Sequence, residues 1–163
     1  MERGRSPKRY RYGVTMVELL ITIGFLIIIS GFMVPGFLGR RNQNALKITA
    51  QEIVTMLREA QARSMNQASS TTWGVHFENS TNVLPFFSLY SGAYATATRS
   101  SYYPLQTGVS YVTSSLAQGA VREISFNQFT GTAVASNSVK INLTNLPAQS
   151  STIAVASSGV ISY

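Results

Sequence analysis

Neither cysteine nor aspartate occurs anywhere in the chain. Without cysteine there can be no disulfide, no thiolate metal site and no thiol chemistry, so a small domain of this composition has to hold together by packing. Without aspartate, and with His76 as the single histidine, there is no Asp to orient a general base or complete a metal site. Glu52, Glu59, Glu78 and Glu123 are scattered rather than paired, and they read as surface charges. The expectation is therefore a protein that is not an enzyme, with no cofactor and no metal. Between Gly74 and the C-terminus the positive side chains are Arg99, Arg122 and Lys140 alone. That is too sparse for a stripe that tracks phosphates, and nucleic acid is not an expected partner.

Charge and hydrophobicity are instead concentrated at the beginning. Arg3, Arg5, Lys8, Arg9 and Arg11 against Glu2 give the leader +4 of the formal +7, leaving +3 for all that follows. The sequence pI of about 10.1 is thus largely a topology signal, and it keeps the leader on the cytoplasmic side of a membrane. An apolar run follows from Val14 to Leu38. About 25 residues of helix at ~1.5 Å each cover a bilayer core of ~30 Å with some tilt. Leu19 to Ile29 is apolar on every face, which a surface helix of a soluble domain is not. Thr22 and Ser30 can bond back to their own helix, while Gly24, Gly31 and Gly36 let a neighbouring backbone approach. Pro35 removes a helical hydrogen bond and is expected to kink the helix.

Glu18 interrupts this run. A carboxylate in a membrane-length helix costs about 2.5–3.5 kcal/mol at the bilayer centre and less near the interface, so it needs a cation in reach. An ordinary secretory signal has a shorter apolar core, about 7–15 residues, with its cleavage site on the far side. Here the small residue, Gly13, precedes the run.

Arg11-Tyr12-Gly13-Val14-Thr15-Met16-Val17-Glu18-Leu19-Leu20 resembles the class III signal of type IV pilins and type II secretion pseudopilins. The resemblance implies cleavage between Gly13 and Val14 by a prepilin peptidase, methylation of the new Val14 amino terminus, and Glu18 as an assembly residue. Val14 replaces the more frequent Phe or Met but stays apolar. The freed α-amino group would supply the cation that Glu18 requires, from a neighbouring subunit in a packed bundle of helices. Such a pairing offsets the burial of two charges and sets register more than it adds stability. Implied partners are the peptidase, other pilin or pseudopilin subunits, and an inner-membrane assembly platform.

Beyond the anchor, Leu46, Ala50, Ile53, Leu57, Ala60 and Ser64 recur at spacings of four and three, predicting an amphipathic helix to about Asn66. Glu59 and Arg63 are spaced for a pair on its wet side. From Ser69 the composition turns to Ser, Thr, Gly and β-branched residues. Strands are predicted at Thr72–Glu78, Val83–Tyr90, Val109–Val112, Arg122–Phe126, Ser138–Leu143, Thr152–Ala156 and Val160–Ser162. Alternation in Trp73-Gly74-Val75-His76-Phe77 and in Val139-Lys140-Ile141-Asn142-Leu143 predicts sheets with one wet face. Tyr90 to Ala120 is left unassigned, its tyrosines read as loop residues folded onto the sheet.

Glu59-Ala60-Gln61-Ala62-Arg63-Ser64 ahead of Trp73-Gly74-Val75-His76-Phe77, then Ile124 to Gly131 and Ile153 to Ile161, is similar to the GspH/FimT group of minor pilins and pseudopilins. Some of that group bind DNA through arginines in the closing hairpin, where this chain has Ser157-Ser158-Gly159-Val160-Ile161-Ser162-Tyr163 and no cation. The expected class is α+β and pilin-like: a leader over 1–13, a membrane and assembly helix over 14–38, its amphipathic continuation over 39–68, and an extracytoplasmic antiparallel β head over 69–163. The expected function is a structural subunit of a type IV pilus or type II secretion pseudopilus in the bacterial inner membrane. A major pilin of a long fibre, or a membrane-anchored binding module that does not assemble, including a DNA-uptake minor pilin, are the alternatives.

Overall fold

The computed structural model describes residues 13–163, with the side chains of 31–40 left out. It divides into two compact units, Met1–Gly39 and Arg40–Tyr163. Helix α1 spans Met16–Met65 and is assigned as helix throughout; the expected kink at Pro35 falls on a side chain outside the described residues.

In the second unit the predicted stripe is the buried face of the helix. Leu46, Ala50, Ile53, Leu57 and Ala60 are all buried, and Val54 and Met56 widen the stripe. Ser64 lies at the end of the stripe for a local reason: its hydroxyl accepts the Trp73 N–H at 2.8 Å, tying the last helical turn to the first strand. The chain leaves the helix through left-handed backbone at Gln67, Ser69 and Ser70.

Two four-stranded antiparallel sheets follow. The first has the order β3-β2-β1-β5, built from β1 (Trp73–Glu78), β2 (Phe86–Ser91), β3 (Arg99–Pro104) and β5 (Val121–Phe126). The second has the order β4-β6-β7-β8, built from β4 (Val109–Tyr111), β6 (Asn137–Leu143), β7 (Leu146–Val155) and β8 (Ile161–Ser162). Val75 lies opposite both Leu89 and Ile124, and Val139 opposite Ile153. These residues, with Phe77, Phe87, Phe126 and the helix stripe, form one continuous core.

Four expectations need correction. The first sheet does not have a wet outer face along β1, where Trp73 to Phe77 are buried without alternation. Gly74 explains how: a Cβ there would meet the Tyr90 ring and the Ile124 carbonyl at 2.8 Å, so the bare backbone lets Tyr90 lie flat across the strand. The unassigned region holds a strand, β3, hidden in sequence because Arg-Ser-Ser-Tyr-Tyr-Pro has no apolar alternation. Conversely Val83 and Leu84 are exposed loop, and pairing begins only after Pro85, which lacks an N–H to give. The β6–β7 hairpin is longer than predicted, since β7 begins at Leu146, with a register shift between Asn142 and Leu143 close to the turn.

Candidate functional site at the amino-terminal helix

Gly13 precedes the helix, is exposed, and has nothing within 4 Å of the position a Cβ would take. Val14 is exposed as well. Thr15 starts the helix: its hydroxyl accepts the Glu18 N–H at 3.2 Å and its carbonyl accepts the Leu19 N–H at 3.1 Å. Thr15 and Glu18 thus stand at the first and last positions of a capping-box spacing. Sequence reasoning missed this capping role for Thr15, although Thr-x-x-Glu ahead of an apolar run announces it. A carboxylate in the first turn also meets the positive end of the helix dipole, worth about 0.3–1 kcal/mol. Glu18 makes no ion pair among the described residues.

From Met16 to Ser30 every residue is exposed except Gly24, which is half-buried. Thr22 and Ser30 bond back to Leu19 and Ile27 carbonyls at 2.9 and 3.0 Å, so neither presents a hydroxyl in need of water. Apart from Glu18, the surface that remains is apolar on all sides, its large side chains ranging from Ile23 at 48 % exposed to Met16 at 92 %. Among the described residues no helix is long and apolar enough to cross a membrane; the described side chains of the run end at Ser30, short of Leu38.

In the second unit, Gln61 acts as a clamp that the sequence did not disclose. Its amide donates to the Gly131 carbonyl at 2.8 Å and to the Gly159 carbonyl at 3.0 Å, joining the helix to a turn after β5 and a turn between β7 and β8. Both glycines have left-handed backbone, and a Cβ on Gly159 would run into the Gly131 carbonyl. Two residues on, Arg63 pairs with Glu59 at 2.6 Å and lies 4.6 Å over the Trp73 ring. The Ala-Arg-Ser run thereby acquires a reason: Arg63 covers Trp73 and Ser64 caps its backbone.

His76 is buried on the other face of the first sheet. Its Nδ1 is 3.1 Å from a Glu123 oxygen, its Nε2 lies 3.5 Å from Glu78, and the Tyr94 ring stacks on it at 3.5 Å. Tyr90 donates to the second Glu123 oxygen at 3.3 Å; burial first, and the Glu123 charge next, push its phenol well above the ordinary tyrosine value. The carboxylates sit on opposite sides of one imidazole, so the three groups cannot converge on an ion, and no cluster of three potential ligands occurs among the described residues. Two of the head cations have local partners: Arg122 donates to the Ser138 carbonyl and Arg99 lies over Tyr102 and Phe86.

No protein-family model matches the sequence, and no curated protein matches it. Among solved structures, two crystal forms of the type IV minor pilin FimU of Pseudomonas aeruginosa share the fold. In one, the match has a TM-score of 0.50 and 16% identity over 72% of this chain and 90% of that one. In the other it has the same score and identity over 73% and 87%. The chain therefore has a type IV pilin-like α+β fold.

Proposed function

We propose that the protein is a structural, non-enzymatic subunit of the minor pilin or pseudopilin kind that assembles through its amino-terminal helix. One observation carries this reading: a helix exposing apolar side chains on all faces from Met16 to Ile29, a surface that water does not tolerate and that lipid or like helices cover. The pilin-like fold of the remainder supports it. In this reading a prepilin peptidase cuts after Gly13, Val14 is methylated, and the run from Val14 to Leu38 holds the subunit in the bacterial inner membrane, leader inside and head outside. An assembly platform then draws it into a filament. Glu18 meets the α-amino group of a neighbour, and Pro35 lets the helix bend as it packs.

Intact mass and amino-terminal sequencing of the membrane-extracted protein test the processing step. A methylated chain beginning at Val14 is expected; recovery of the full-length polypeptide as the sole species overturns it. For assembly, Glu18→Ala should leave membrane insertion intact and reduce incorporation into filaments. Wild-type incorporation of that variant removes Glu18 from the mechanism.

A further inference from the structure

The head presents four sheet edges, β3 and β5 on one sheet and β4 and β8 on the other. Exposed edges invite strand addition, and proteins blunt them by shortness or by cover. β8 has 2 residues and β4 has 3. β5 is covered at its C-terminal end, where Phe126 bridges Ala133 and the Ser125 carbonyl accepts the Val134 N–H. β3 is different. It has 6 residues; a bulge at Ser100 interrupts its ladder with β2, and among the described residues the backbone of Ser101–Tyr103 makes no hydrogen bond beyond that ladder.

An open groove of about 390 Å³ lies beside that edge, between α1 and the sheet. Phe87 forms its floor and Tyr103, stacked on Phe87 at 5.9 Å, forms the wall on the strand side. Ile48, Glu52, Thr55 and Glu59 form the helix side. Glu59 is engaged by Arg63, whereas Glu52 has no ion-pair partner among the described residues. Arg99 does not offset this charge: it lies over Tyr102, and successive strand residues such as Tyr102 and Tyr103 point to opposite faces.

We propose that the unpaired edge of β3 and this groove form one docking site for an extended, basic segment of a partner protein, added as a fifth strand to the first sheet. The backbone of such a segment would take up the orphan edge groups, and alternate side chains would hang over the groove. Lysine or arginine fits there, with an aliphatic stem along Tyr103 and Ile48 and a charged head at Glu52. A helical partner would fill the groove and leave the edge unpaired. The site uses none of the amino-terminal apolar helix, so its failure and that of the assembly reading are separable.

The test is anisotropy of a fluorescein-labelled hexapeptide alternating lysine and valine, titrated with the full chain in micelles of a neutral detergent at low salt. Saturable binding is expected, about tenfold or more tighter than for a glutamate–valine hexapeptide or a lysine–alanine helix of equal charge. Glu52→Lys, on the exposed helix face, and Tyr103→Ala should each weaken it about tenfold. Amide exchange at Ser100–Tyr103 should slow in the complex. Absence of saturable binding, unchanged affinity in Glu52→Lys, tighter binding of the helical peptide, or unaltered exchange along β3 would each overturn the proposal.

Discussion

Two stretches of one helix obey different rules. Between Leu46 and Ser64 the apolar residues recur on one side and are buried by the chain's own sheets. Between Met16 and Ile29 they occupy every side and none is buried among the described residues. What separates them is the partner surface: among the described residues the first stretch has one and the second has none. The same substitution should therefore have opposite consequences. Leu57→Ala removes a fully buried side chain and should destabilise the head by about 2–5 kcal/mol in denaturant unfolding of the full chain in micelles. Leu20→Ala, at a position 74 % exposed, should leave that transition unmoved and be felt in assembly instead. Comparable losses in both variants would mean that the two stretches are not divided as described.

The boundary is sharpened at the far end of the buried stretch, where Gln61 holds two turns together. Gly159→Ala forces a side chain into left-handed backbone and against the Gly131 carbonyl. A loss of about 1–3 kcal/mol is expected, measured by the same unfolding curves, with the amino-terminal stretch unaffected. Gln61→Leu, which leaves the Gly131 and Gly159 carbonyls without their shared donor, should cost a similar amount, about 1–3 kcal/mol. Its effect should not add to that of Gly159→Ala, because both act on one contact.

How much of this was legible depended on whether a signal was periodic. The stripe from Leu46 to Ser64 and the all-round apolar run are both repeats, and repeats survive without knowledge of the fold. Glu59 and Arg63 were legible because a four-residue spacing is local. By contrast, β3 was hidden because its burial partner on the inner side is a single stacked ring, Phe87 under Tyr103. The masking of β1 was hidden because Tyr90 and Tyr94 reach it from elsewhere in the chain. Gln61 was unreadable for the same reason: its acceptors lie 70 and 98 residues away, and no spacing rule spans that distance. At the candidate site, Gly13, Val14 and Glu18 were named from a motif, whereas the Thr15 cap was overlooked although its signal was present.

A smaller effect separates buried from exposed phenols. Tyr111 is buried and donates to the Phe86 carbonyl at 2.9 Å; burial raises its phenol far above the ordinary range, and Tyr90 is raised too. The folded head then holds these protons more tightly than the unfolded chain, whose tyrosines titrate near about 10. Their stabilisation is complete below that pH and declines as pH rises above it. Head stability should thus fall steeply in alkali. Tyr111→Phe should lose about 0.5–1.5 kcal/mol at neutral pH with its hydrogen bond, and its stability should depend less on pH above 10. An unchanged alkaline slope would contradict the burial of this ring.

The smallest difference concerns the wet side of the buried stretch. Arg63 touches both Glu59 and Trp73, but the ion pair is well exposed, at 39% and 45% for its two side chains. Water and salt screen it, and pairs of this kind contribute about 0.2–1 kcal/mol. The stacking over Trp73, which is buried, does not need Glu59. Glu59→Gln should therefore shift the unfolding midpoint barely, and the shift should vanish in high salt, while Arg63→Ala should cost more and keep its cost in salt, since covering the indole is a packing role as well as an electrostatic one. If the two variants proved equal and equally salt-sensitive, the ion pair would be what matters and the ring contact incidental, and the helix would be held to the sheet by charge at a point where its geometry indicates packing.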